Sequence, residues 1–395
     1  MRGGRRGLAS VLSTVAVVSA AACGAPTAPS VELSSAPTAS AAEPSGPAGS
    51  TASSPPNSGA PAPESFSTVM VVADELRLRD VAGTGGEVVD GLSWGAVASV
   101  LEGPADADGF RWYRLESGDG SSGWAAAGDG EDDWLVPVVV PTDGQRRIEL
   151  SSVCDVVGPV VAPDTTILDD GLVVTTTLDG AWVAGVLSAD GMRSLEDEIL
   201  SNPYLQQEAE YVPVPKPGAE PPGHGACTYT FRLGPGDDPL TVTSVMYFGD
   251  PEETQFYQPA PERKALTKIA QSLADIESVL PPGAWEVQPL PYVADEYLAW
   301  LLVEPGPMQG PFIDFGDLGI DGSAADFGEP VQGASRCGVL GRDAATRVHA
   351  GLRTTGVEAG LDRFGGGPMR DGDDRYTLLM VPRTPLGVPN CDGLR

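Results

Sequence analysis

The pair of residues best placed to do chemistry is His224 and Cys227, three apart in the stretch PPGHGACTYTF at 221–231. A histidine beside a cysteine can hold it as a thiolate, ready to attack a carbonyl carbon. The same cysteine can equally be half of a disulfide with a polar neighbour. The chain has one other histidine, His349. Two histidines, with neither HExxH nor any paired-His spacing, do not assemble a zinc-hydrolase ligand set. A nucleophile elbow of the form G-x-S-x-G does not occur. The 55 acidic residues supply endless carboxylate pairs, so acid pairing of the glycosidase kind stays open, although aromatics are only 6% of the chain, few for gripping sugar rings. The acidic stretch IDFGDLGIDGSAADFGE offers Asp314, Asp317, Asp321, Asp326 and Glu329, and DGEDD and RDGDDR are denser. None keeps the D-x-D-x-D-G spacing with a glutamate twelfth, so these read as solvated loops. No cofactor and no metal is expected.

Two known catalytic arrangements come near the GHGAC core and miss. L,D-transpeptidases carry Ser-His-Gly-Cys with a further upstream histidine; here the order is His-Gly-Ala-Cys, Gly223 precedes it, and no histidine lies upstream. NlpC-type cysteine peptidases need the cysteine at a helix start, whereas CTYTFRL alternates as a strand. An intensely acidic chain also raises a thiol's pKa. A disulfide is the expected state. Cys154, Cys227, Cys337 and Cys391 make an even set in an exported protein, with three possible connectivities. Pairing within each lobe, Cys154–Cys227 and Cys337–Cys391, closes loops of about 50 to 75 residues, each stabilising by roughly 4 kcal/mol.

Export is read from MRGGRRGLASVLSTVAVVSAAACGAPTAPS. Arg2, Arg5 and Arg6 precede a short apolar run, Leu8 to Ala22, too short to span a membrane comfortably. Ala20-Ala21-Ala22 followed by Cys23-Gly24 resembles the bacterial lipobox, departing from it at Ala20, where a bulky aliphatic is usual. The resemblance implies a signal peptide over 1–22 and a lipid on Cys23, hence an extracytoplasmic protein held to the cell membrane by the anchor alone. The alternative is an ordinary secretory signal and a secreted chain. Residues 23–65 are almost only Ala, Pro, Ser, Thr and Gly, a composition that cannot bury enough apolar surface to order itself and reads as a disordered tether. The formal charge of −31 becomes −34 once the three signal arginines are gone. Such a field repels nucleic acid and anionic lipid, which excludes both as partners.

The elements that would position a binding site begin at residue 66. TVMVVADELRLRD alternates with period two; GTGGEVVDGLSWGAVASVLEGP adds short strands split by glycine turns; GFRWYRLESGDGSSGWAAAGDGEDDWL adds a Gly-Asp-Gly hairpin. Five short strands in about 70 residues predict a small barrel over 66–140. The ordered set LRLR, a glycine-rich gap, G-x-x-V, G-F-R-W-Y-R-L and G-W-A-A resembles the bacterial SH3 domain. That resemblance covers less than a fifth of the chain and implies a cell-wall-binding or protein-interaction module. Trp94, Trp112, Tyr113 and Trp124, with Arg77 and Arg79, are the candidate ligand-binding residues; the four aromatics serve equally well as barrel core.

The rest reads as a disulfide-bonded α+β domain. A lobe over 141–305 holds hairpins in TTILDDGLVVTTT and around Gly234–Asp238, a helix from Ala189 with Met192, Leu195 and Ile199 on one face, and a helix in PERKALTKIAQSLADIESVL with Leu266, Ile269, Leu273 and Ile276 inward. An acidic loop or linker follows over 306–332, then a terminal β-α-β lobe over 333–395. The whole reads as a non-catalytic surface lipoprotein binding cell-wall peptide or another exported protein. A wall-acting hydrolase with paired carboxylates is the alternative, and a purely structural extracytoplasmic domain is a third reading.

Overall fold

The computed structural model describes residues 67–391, apart from 155–162, 178–179, 221–225, 248–255, 304–311, 321, 332–335, 355–360, 362–364 and 388. The signal segment, Cys23, the tether, His224 and Asp321 thus lie outside the described residues.

The first sheet takes β1 (Thr68–Val71), β2 (Glu75–Arg79), β3 (Val88–Ser93), β4 (Val97–Ala107), β5 (Phe110–Ser117), β6 (Ser122–Ala126) and β7 (Leu135–Pro137) in the order β3-β2-β6-β5-β4-β1-β7. In β2, Leu76 and Leu78 are buried while Glu75 and Arg77 are exposed, as the alternation predicts. β4 and β5 turn through Asp108-Gly109, both at positive φ, the conformation whose twist matches that of paired strands. The expected small barrel is corrected in one respect. The ladder runs from β3 to β7, and among the described residues no ladder joins those two ends, so the sheet is open. Pairing with β7 on one side of β1 spends the edge that closure would use, and β3 is left as a free edge with Val88 to Gly91 exposed.

The second sheet has β8 (Arg146–Cys154), β9 (Pro163–Leu168), β10 (Leu172–Thr176), β11 (Trp182–Leu187), β12 (Ala209–Tyr211), β13 (Ala226–Leu233), β14 (Leu240–Tyr247) and β15 (Trp285–Pro291), ordered β12-β14-β13-β8-β9-β10-β11-β15. Helices cover one face. α1 (Ala189–Leu195) is capped by the Ser188 hydroxyl and continues as one π turn through Leu200. α2 (Pro261–Ala274) and the single turn α3 (Ile276–Val279) bury Leu266, Ile269, Leu273 and Ile276, the stripe that the helical spacing predicts, against Ile148, Leu150, Ile167, Phe231 and Val242.

The third sheet has β16 (Glu296–Val303), β17 (Ile313–Asp314), β18 (Glu329–Pro330), β19 (Arg336–Gly341), β20 (Gly365–Asp371) and β21 (Asp374–Pro382), ordered β17-β20-β21-β16-β19-β18, with α4 (Arg342–Thr354) packed on it. Two expectations change here. β16, read as part of the preceding lobe, is the strand between β21 and β19, and its run Tyr297 to Leu301 is buried throughout. The segment 306–332, read as a linker, carries β17 and β18 of the same sheet. Two-residue strands are too short to show any periodicity. β20, Gly-Gly-Gly-Pro-Met-Arg-Asp, was missed because glycines carry no apolar signal; a Cβ at Gly367 would meet Leu352 of α4, so the helix lies close against this strand. Cys337 is bonded to Cys391, as within-lobe pairing predicts.

One core cluster takes residues from all three sheets, including Met70, Val174, Trp182, Tyr297 and Met380. Beyond β7 the chain is tied to the end of β15: the Val139 amide donates to Pro291 O at 3.1 Å, and the Val293 amide to Val139 O at 3.0 Å. Among the described residues no helix is long and apolar enough to cross a membrane.

Candidate ligand-binding face

The thiolate reading of Cys227 is settled by its bonding. Cys227 is in a disulfide, and the register of β13 against β8 sets Cys154 directly opposite it. A disulfide sulfur has no thiolate to offer. His349 belongs to α4 on the third sheet and is fully buried; burial pulls its imidazole down to about 4.

The acidic stretches use their carboxylates locally. Asp314 accepts from the Gly316 amide at 3.2 Å and from Arg370 Nε at 3.3 Å; Asp326 takes the Ser323 hydroxyl at 2.7 Å; Asp371 accepts from the Ala324 amide. In DGEDD, Asp129 accepts the amides of Glu131 and Asp132, which holds its carboxyl below the usual range. No group of three or more metal-ligating side chains occurs among the described residues.

The aromatic candidates separate. Tyr113, 1% exposed, points inward with Leu78, Leu115 and Val71. Trp112, 3% exposed, is covered too: its indole nitrogen donates to Ala107 O at 3.0 Å and its ring meets the edge of Phe110. Both are buried side chains, the core role that the sequence leaves open for them. Strand alternation assigns a side chain to a face of the sheet but is blind to what covers that face. Trp94 is half-buried against α4, with the Arg353 guanidinium 4.9 Å above its ring. It therefore lies in a contact between sheets and not on an open face.

Trp124 is different. Its direct partners are Arg79 on β2 and Arg114 on β5, so all three side chains stand on one face. The same level continues outward to Val88, opposite Arg79, and to Glu102, opposite Arg114. The result is a transverse row over five strands: Val88, Arg79, Trp124, Arg114, Glu102. Val88 is exposed, Trp124 half-buried, and Arg77 projects from the same face two residues along β2. Arg79 is oriented by donating to Gly86 O at 2.6 Å. Arg114 meets Glu102 at 3.7 Å, but both are well exposed, so that pair contributes little and leaves the guanidinium available. Arg111 falls on the opposite parity of β5, with Tyr113 and Leu115, and takes no part. The sequence points to Trp124 and to Arg77, Arg79, Arg111 and Arg114 as a local excess of arginine, but it leaves Val88 and the row itself unseen, because cross-strand register is not a sequence property.

The chemistry this row offers is recognition: a flat indole between two forked cations, with an exposed aliphatic beside them. Guanidinium forks match carboxylates in two-point hydrogen bonding, and the indole supplies contact area at low entropic cost. No family model, no curated protein and no solved structure matches this chain.

Proposed function

We propose that this chain is a non-catalytic binding protein of the bacterial cell envelope, exported, acylated at Cys23, and recognising the carboxylates of wall peptides through an SH3-like first sheet. The observation that carries the reading is the row Arg79–Trp124–Arg114 with Arg77 beside it. It sets three guanidinium groups and an aromatic ring on one surface, interleaved with Glu75, Glu102 and Glu116, in a chain whose formal charge is −31. An anionic ligand must overcome the general repulsion of that chain, and a local cluster of guanidinium groups is the feature that permits it. The LRLR, G-F-R-W-Y-R-L and G-W-A-A motifs supply β2, β5 and β6, the three strands that bear these residues.

The test is binding of the whole ectodomain to purified peptidoglycan in a pulldown. Trp124→Ala and the double change Arg79→Ala with Arg114→Ala should each weaken retention about tenfold or more. Raised salt should weaken it further. Wild-type binding that neither change alters would sink the assignment of this face. Fractionation of Cys23→Ala cells tests the anchor: the variant should leave the membrane fraction, and its retention there would end the lipoprotein reading.

A further inference from the structure

We propose that His349 makes the contact between the first sheet and the third an acid-sensitive latch, closed while the imidazole is neutral and released when it is protonated. Thr346, His349 and Arg353 lie three and four residues apart on one side of α4. They meet the β3–β4 turn at Trp94 and Gly95. Gly95 is at φ +79°, and a Cβ there would come within 2.6 Å of Thr346 Cγ2 and 3.2 Å of Leu361 Cδ1, so the turn is pressed onto the helix. The His349 ring meets both Trp94 and Tyr297 of β16, with 6.4 Å between centroids in both cases.

This imidazole is 0% exposed, and neither ring nitrogen has a hydrogen-bond partner among the described residues. An apolar side chain would fill such a place without leaving two polar atoms unsatisfied, so the histidine weakens the closed contact even when neutral. Among the described residues the charged and titratable groups around it are few. From the first sheet comes Asp74, whose carboxylate faces Arg353 at 3.5 Å; from α4 comes Arg353, stacked over Trp94; from β16 comes the Tyr297 phenol. Among the described residues none places a carboxylate against the ring to hold a proton there.

The sign follows from the burial. In the open state the ring titrates near 6.5, and in the closed state near 4. Closure is therefore fully favoured above about pH 6.5 and loses ground as the pH falls toward 4. Between pH 7.5 and 5.0 the open-to-closed ratio should rise on the order of 30-fold if opening exposes the ring fully. The contact to be released is that of the β3–β4 turn with α4, at Trp94 and Gly95.

Hydrogen exchange followed by mass spectrometry on the whole ectodomain tests this, at pH 7.5 and 5.0 with the intrinsic pH dependence of exchange removed. Wild-type peptides over 93–97 should lose protection on the order of 30-fold relative to peptides from α4, β13 and β14. His349→Met and His349→Gln, which do not titrate, should keep their protection ratio at both pH values. Equal protection of the wild type at the two pH values, loss of protection everywhere at once, or the same loss in the variants would each overturn the latch.

Discussion

Replacing Gly95 with alanine should destabilise the protein through two separable causes. The first is backbone: at φ +79° a non-glycine residue costs about 1–2 kcal/mol. The second is space: the new methyl would stand 2.6 Å from Thr346 Cγ2, and overpacking of that kind costs about 1–3 kcal/mol. Gly95→Ala alone should therefore lose about 2–5 kcal/mol, read by urea denaturation followed by circular dichroism. Thr346→Ser deletes the obstructing methyl and should cost little by itself. Combined with Gly95→Ala, it should return the spatial part and leave the backbone part, a favourable coupling of about 1–3 kcal/mol. Additivity of the two changes within about 0.5 kcal/mol would refute the reasoning, because it would mean that the turn does not press on α4. A loss below about 1 kcal/mol for the single variant would refute the backbone argument as well.

Glu149, 1% exposed, receives Arg232 at 2.5 Å and Arg146 at 3.2 Å. Glu149→Gln should leave two guanidinium groups without their anion and cost about 3 kcal/mol in the same assay, the low end of a buried-pair loss because Arg232 reaches solvent. Cys391→Ser opens the 54-residue loop to Cys337 and should cost about 4 kcal/mol, and reducing agent, which also opens the Cys227 bridge, should cost the wild type more than this variant loses. A non-reduced digest should yield Cys154 joined to Cys227 as one cross-linked peptide pair, and a free thiol at either position would reopen the nucleophile question.

What the sequence alone determined was local. Its helical spacing named the stripe Leu266, Ile269, Leu273 and Ile276, and its period-two alternation set Leu76 and Leu78 inward from Arg77, because both periods are geometric properties of a short segment. Turn chemistry placed the hairpin at Asp169-Asp170-Gly171, where Gly171 sits at φ +91°. What only the tertiary structure decided was non-local. Trp112, Trp94 and Trp124 look alike as tryptophans of short strands or turns, yet the first is covered by the β4–β5 hairpin, the second lies against α4, and the third stands in a row between two arginines. β17 and β18 exist only as partners of β20 and β19, since two residues have no period of their own. Exposure and register depend on which distant segments arrive at a face, and those arrivals are set by the burial of the whole chain's apolar surface, which no single stretch encodes.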